Sequence, residues 1–285
     1  MPTLAYHVVD VFTDRPFAGN PLAVVLDADD WTTEQMQAAA REFNLSETAF
    51  PLPSDQADYR VRIFTPVREL PFAGHPSVGT AWVLARLGRI PTGAVRQECG
   101  AGILPVEVTS DGATLTGGTP SVGDPLDPAP LLAAVGLEAG DATGVPPRTA
   151  GAGLDWTYLP VLPEAVERAV PDWVALRRAV TSAGLVVFSW DGKGRVARLR
   201  GIADDGYEDP ATGSATLGLG AFLAASGLVP PDGVTAYQVH QGAEVRRPSI
   251  LDGTVVTSGG RAERTTVRGG VAPVAVGELQ RPRPS

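Results

Sequence analysis

Three residues whose side chains could take part in a reaction stand at element boundaries: Glu47 in Leu45-Ser46-Glu47-Thr48-Ala49-Phe50, His75 in Gly74-His75-Pro76-Ser77, and Asp209 in Glu208-Asp209-Pro210. A carboxylate set among apolar neighbours loses hydration, which brings its pKa toward neutrality and makes both acid and base forms accessible in one cycle. Read alone, the residues favour a solvated Glu47 side chain at a helix end and an Asp209 that is an ordinary helix N-cap. The chain has one cysteine, Cys99 in Glu98-Cys99-Gly100-Ala101-Gly102, so a two-thiol proton transfer across an α-carbon is excluded, as is any intrachain disulfide. Cys99 reads as a small apolar residue. His75-Pro76-Ser77-Val78-Gly79 approaches a nucleophile elbow but lacks its first Gly, and only His7, His75 and His240 could serve Ser77 as base. Those histidines are scattered and no HExxH or cysteine pair occurs, so no metal site is expected. Gly151-Ala152-Gly153 and Gly218-Leu219-Gly220 do not complete a dinucleotide fingerprint, and no cofactor is expected.

The elements that must position these groups follow from patterning. Leu4 to Thr13 is rich in β-branched residues and leads through Asp14-Arg15-Pro16-Phe17-Ala18-Gly19-Asn20 into an apolar run, Leu22 to Leu26, giving strand, turn, strand. Thr32 with Gln35 fits a capping box, and Met36, Ala39, Ala40 and Phe43 fall on one helical face, with Asn44 as a left-handed stop. Tyr59, Val61 and Ile63 alternate with Arg60 and Arg62 as in a half-buried strand, placing Glu47 at a helix-to-strand junction. A Pro/Gly-rich turn then feeds an apolar helix over Pro76 to Leu87, with His75 at its start. In the second half a helix at Trp173 to Thr181, strands at Leu185 to Trp190 and Val196 to Arg200, and a second apolar helix within Pro210 to Pro231 follow in the same order.

Laying His75 to Ala81 over Asp209 to Ala215 matches Pro, Gly, hydroxyl and Ala at an offset of 209 − 75 = 134 residues, which reads as a duplicated domain, not a solenoid. Each matched segment opens a helix whose first amides are free and whose dipole is positive, so both starts suit a carboxylate or developing enolate, and facing each other they would form one site. We read 1–117 as the first half, with a C-terminal strand at about 266–278 returning to it, 118–265 as the second, and Gly117 to Pro130 as the linker. No acidic counterpart of Glu47 occurs at Leu185-Val186-Val187-Phe188, so a single base is expected.

Composition narrows the partners. A formal charge of −9 over 285 residues repels polyanions, and no Lys/Arg run offsets it, so nucleic acid is not an expected partner and an anionic substrate must be held by local donors. The stretch Pro210 to Pro231 is too broken by Gly, Ser, Thr and Pro to span a membrane, and the N-terminus lacks a signal peptide, so a cytoplasmic protein is expected.

With these motifs on the page, DVFTDRPFAGNPLAVV (10–25), NLSETAF (44–50), RIFTPVRELPFAGHPSVGTA (62–81), GAGILPVEV (100–108) and EDPATGSA (208–215), the chain resembles the PhzF-like isomerase family of phenazine biosynthesis. The resemblance implies an α+β, diaminopimelate epimerase-like fold: two pseudo-symmetric domains, each a mostly antiparallel sheet around a central helix, an active site in the cleft between them, and a homodimer. By motif position it implies that Glu47 is the proton-transferring carboxylate, with His75 and Asp209 as catalytic partners and Gly74, Gly213 and Ser214 at the substrate; Ser77, beside His75 at the helix start, is also expected to bind substrate. The expected reaction is a cofactor-independent suprafacial proton shift on a small anionic carbon acid such as trans-2,3-dihydro-3-hydroxyanthranilate. The alternatives are a metabolite-binding relative without turnover and a serine hydrolase using Ser77. One departure is Arg246 in Gln241 to Ser249, where the family pattern has Gly; a bulky cation there is expected to alter packing at the substrate end. The tail Gln280 to Ser285 reads as disordered.

Overall fold

The structure, a computed structural model, describes residues 3–204 and 206–282. The chain forms two compact units, one of Met1–Thr116 with Arg268–Ser285 and one of Gly117–Val267.

The first unit runs β1 (Thr3–Val11), β2 (Asn20–Val25), α1 (Thr33–Phe43), β3 (Glu47–Leu52), β4 (Tyr59–Phe64), β5 (Glu69–Leu70), α2 (Gly74–Arg86), β6 (Gly93–Cys99), β7 (Gly102–Val108) and β8 (Gly112–Thr116). The expected capping box is formed at Thr32, with Gln35 bonding back to it, and Asn44 ends α1 at φ 50°. β2 pairs in parallel with β3, β4 in parallel with β6, and the remaining neighbours run antiparallel. The chain's final strand pairs with both β1 and β8, so the sheet closes into a ring.

Inside that ring lies α2, buried over Gly74–Leu84 and packed against β1, β2, β3, β7 and β8. It approaches the wall closely because position 79 has no side chain: a Cβ there would press on Leu22 and Val11. An all-round apolar helix of this kind is stable only where every face meets protein. On the outside of the ring, α1 lays Met36, Ala39 and Ala40 onto Val25, Phe50 and Phe64.

The second unit contains β9 (Ser121–Pro125), α3 (Pro128–Ala134), β10 (Arg148–Gly151), β11 (Asp155–Pro160), α4 (Pro163–Arg168), α5 (Trp173–Ala179), β12 (Gly184–Asp191), β13 (Val196–Ala203), β14 (Glu208–Asp209), α6 (Gly213–Ala225), β15 (Gly233–Gln241), β16 (Ser249–Ser258) and β17 (Arg261–Gln280). From Arg268 onward β17 belongs to the first unit. Here β11 pairs in parallel with β12, and β13 in parallel with β15, around α6, whose residues Gly213–Ala224 are all buried. The order of parallel and antiparallel neighbours therefore matches that of the first unit, strand for strand from β2–β6 to β11–β15.

The structure corrects three expectations. The central helices start at Gly74 and Gly213, an offset of 213 − 74 = 139, and the bidentate pairs Arg62–Glu69 and Arg200–Glu208 align at 138 and 139. The offset of 134 was a coincidence of small residues: it superposes His75, the second residue of α2, on Asp209, a strand residue four positions before α6. Second, 117–130 is not a linker, since it holds β9, hydrogen-bonded to β10, and the start of α3 capped by Asp127. Third, the tail is ordered through Pro282: Gln280 ends β17, Gln35 Nε2 donates to the Pro282 carbonyl at 2.8 Å, and Arg281 pairs with Asp30 at 2.6 Å. Residues 283–285 lie outside the described residues.

Candidate active site

Glu47 is the first residue of β3, level with Leu22 of β2, and its side chain keeps 15% of its accessibility. Its carboxylate is placed by the residues beside it. Ser46 donates to Asn20 Oδ1 at 2.7 Å, and Asn20, completely buried, is the first residue of β2, so the shoulder of β3 is tied to the end of its neighbour. Asn20 and Ser46 lie inside the sequence motifs but were assigned no role. The only signal was that both are short polar residues at the ends of strands that must be covered.

Upstream, the buried Asp10 accepts the Phe17 amide at 2.6 Å. This holds a loop in which Phe12, Phe17 and Gly19 all adopt left-handed φ near 65°.

Facing Glu47 is His75, whose Nδ1 lies 3.5 Å from Glu47 Oε2 and whose side chain is 4% accessible. Two effects on the imidazole compete. A neighbouring carboxylate favours imidazolium, whereas loss of water disfavours it. Burial prevails and pushes the His75 pKa down to about 3, with a hydrogen bond to the Pro21 backbone opposing. Pro21 offers only a carbonyl, so the neutral ring is the donor in that bond. His75 Nε2 is buried and has no hydrogen-bond partner among the described residues.

Gly74 is the first residue of α2, and no side chain caps this helix start. Ser77, expected at the substrate, is instead enclosed. Its hydroxyl donates to Ala73 O at 2.9 Å and accepts from Gln97 Nε2 at 2.8 Å, and Gln97 in turn accepts from Tyr59. Its proton is committed to a carbonyl and the side chain is fully buried. Thr80 is likewise buried in the middle of α2.

In the second unit Asp209 ends β14, and its Oδ2 accepts the Thr212 hydroxyl at 2.7 Å. Gly213 and Ser214 are the first two residues of α6, both buried. Ser214 Oγ accepts from Trp156 Nε1 at 3.0 Å; indole is a donor only, which leaves the Ser214 proton to be given elsewhere. Trp156 was not predicted, because nothing local in Asp155-Trp156-Thr157 distinguishes a core tryptophan from one serving a site. Arg246, expected to reshape the substrate end, is an exposed turn residue at φ 59°. That is the left-handed backbone that suits Gly, the residue the resemblance leads one to expect there.

Burial raises the Cys99 thiol pKa, so it remains a thiol in the packed wall. Among the described residues no cluster of three or more His, Cys, Asp or Glu could hold a metal, and no helix is long and apolar enough to cross a membrane.

Fold and site together define a two-unit α+β protein whose closed ring carries a shielded carboxylate beside a neutral imidazole. Residues 9–277 match the model of the phenazine biosynthesis-like protein family. An isomerase of Mesorhizobium japonicum is 36% identical, covering 98% of this chain and 99% of the relative. The trans-2,3-dihydro-3-hydroxyanthranilate isomerase of Pseudomonas aeruginosa is 35% identical, with 95% and 98% covered. The crystal structure of a Bacillus anthracis phenazine biosynthesis protein of the PhzF family superposes with a TM-score of 0.88 at 26% identity, over 98% of this chain and all of the other. The chain belongs to this PhzF-like family, is an isomerase, and has the diaminopimelate epimerase-like fold.

Proposed function

We propose that this isomerase shifts a proton along a small carboxylate-bearing carbon acid, with Glu47 as the single acid/base and no cofactor. The observation that carries the reading is the pairing of a shielded Glu47 carboxylate with a His75 that burial keeps neutral at 3.5 Å. A protonated histidine would lock the carboxylate into an ion pair. A neutral one leaves it able to take up and return a proton.

In the proposed step the C–H bond breaks, its electron pair passes into the unsaturated system conjugated with the substrate carboxyl, and Glu47 holds the proton. The same proton then forms a new C–H bond at another carbon on the same face, and Glu47 is again a carboxylate. Acceptor and donor are one group, so neither metal nor redox partner enters the balance. The orphaned His75 Nε2 supports a polar contact to the substrate, and the Ser214 hydroxyl supports a contact to its carboxylate. Asp209 is proposed to assist proton transfer. A small anion fits the chain's charge of −9 only through local donors such as the Ser214 hydroxyl.

The named substrate of the Pseudomonas relative, trans-2,3-dihydro-3-hydroxyanthranilate, is the first compound to test. Incubation in heavy water with NMR detection should show isomerisation, with deuterium entering the new C–H only as far as the proton held by Glu47 exchanges with solvent before it is returned. Glu47→Gln, which keeps the shape and removes the base, should lower the rate by about 10²–10⁴-fold. Undiminished turnover in that variant removes Glu47 from the role.

A further inference from the structure

The Gln241-Gly242 pair takes no part in the proton transfer, yet it holds a demanding position. Gln241 is the last residue of β15 and is 4% exposed. Its Oε1 accepts the Thr212 amide at 3.0 Å, while Nε2 donates to the Asp209 carbonyl at 2.6 Å and to Thr212 Oγ1 at 2.9 Å. Because Oε1 meets an N–H and Nε2 meets two oxygens, the amide can sit only one way round. Thr212 has one hydroxyl proton, which goes to Asp209 Oδ2. The result is a one-directional relay from amide to hydroxyl to carboxylate, in which each bond polarises the next.

Two glycines make room for it. A Cβ at Gly201 would collide with Thr212 Oγ1 and crowd Gln241 Nε2, and one at Gly242, whose φ is 84°, would collide with the carbonyls of Pro210 and Arg247. The first unit supplies an internal comparison. Gly100 abuts Pro71 there as Gly242 abuts Pro210, so the counterpart of Gln241 is Cys99, and the counterpart of Asp209 in β5 is Leu70. The half that lacks the acid also lacks the clamp.

We infer that Gln241 is a positioning residue for the reaction, holding the Asp209 carboxylate in its working orientation through Thr212. The inference rests on the reading in which Asp209 takes part in turnover. A double-mutant cycle in the full-length chain tests it, with trans-2,3-dihydro-3-hydroxyanthranilate in heavy water as the probe. Gln241→Leu should lower kcat about a hundredfold with KM changed by about twofold or less. In an Asp209→Asn background the same change should cost about threefold or less, because its route of action is already gone. Thr212→Ser should retain activity and Thr212→Val should lose it.

A second arm needs no substrate. The Gln241 side-chain amide resonance should titrate with a carboxyl group, and that response should vanish in Asp209→Asn. An unresponsive amide, an unchanged kcat in Gln241→Leu, or equal losses with and without Asp209 overturns the inference while leaving the Asp209 assignment intact. A harmless Asp209→Asn overturns that assignment, and the inference with it, and is recognised from the single variant alone.

Discussion

His75 carries a pH signature of its own. Its pKa is lowered from 6.5 to about 3 by burial, so below pH 6.5 the unfolded chain binds a proton that the folded chain refuses. Stability therefore falls as the pH drops from 6.5 toward 3, with this group contributing a slope of about 1.4 kcal/mol per pH unit once well below 6.5. His75→Gln removes that contribution. Urea unfolding at pH 7.5 and pH 5 should show a smaller loss in the variant than in the parent chain, and equal losses would contradict a buried neutral imidazole.

At Arg246 the prediction has the opposite sign. A non-glycine residue at φ 59° costs about 1 kcal/mol, so Arg246→Gly should raise stability by about 0.5–1 kcal/mol with turnover unchanged, read from the urea midpoint and the rate. Of the residues themselves, Glu47, His75 and Asp209 were legible in the sequence through their motifs. The burial of Ser77 was not legible, because a hydroxyl on a helix start looks the same whether it turns toward a ligand or toward the core.

At the scale of the element, α2 is a smooth apolar rod within its ring, and van der Waals packing alone specifies its axial position poorly. The polar pin from Tyr59 through Gln97 to Ser77 and the Ala73 carbonyl supplies what the apolar faces lack. Ser77→Ala leaves the buried Gln97 amide without an acceptor, which should cost about 1–3 kcal/mol in urea unfolding. Ser77→Thr should cost far less, because Thr216 already makes the same bond to Thr212 O at 3.2 Å in α6. Equal losses in the two variants would show that shape, not the hydroxyl, matters here. Helix α1 with its caps and the alternating strand Tyr59–Phe64 were legible because capping and periodicity act within a few residues. The register of the duplication was not, since two short Pro/Gly segments align by composition at 134 while the pairings of β4 with β5 and of β13 with β14 impose 138 to 139.

For the whole molecule, the last strand decides what can fold alone. β17 runs antiparallel to β1 from Thr3↔Gln280 to Val11↔Val271 and also pairs with β8. A fragment ending at Thr116 therefore exposes two unpaired strand edges around a buried, mainly apolar helix, and circular dichroism and NMR should find it unfolded or aggregated. The same fragment with residues 268–282 joined by a flexible linker should recover dispersed NMR signals. If the bare fragment folds as well as the joined one, ring closure is not what stabilises this unit. A homodimer remains the proposed assembly, which sedimentation at the mass of two chains supports and at the mass of one chain removes.

The sequence by itself determined the local facts: the capped helix α1, the central apolar helices and the alternating strand Tyr59–Phe64, the lone cysteine that rules out a two-thiol mechanism, and the motifs that carry Glu47, His75 and Asp209. Tertiary structure alone decided how those groups behave. Whether His75 is charged depends on how much water remains around it, and whether Ser77 or Gln241 serves a site depends on partners at 20 and 29–32 residues' separation. Desolvation and long-range hydrogen bonding belong to the packed chain, so no local pattern of residue types can encode them legibly.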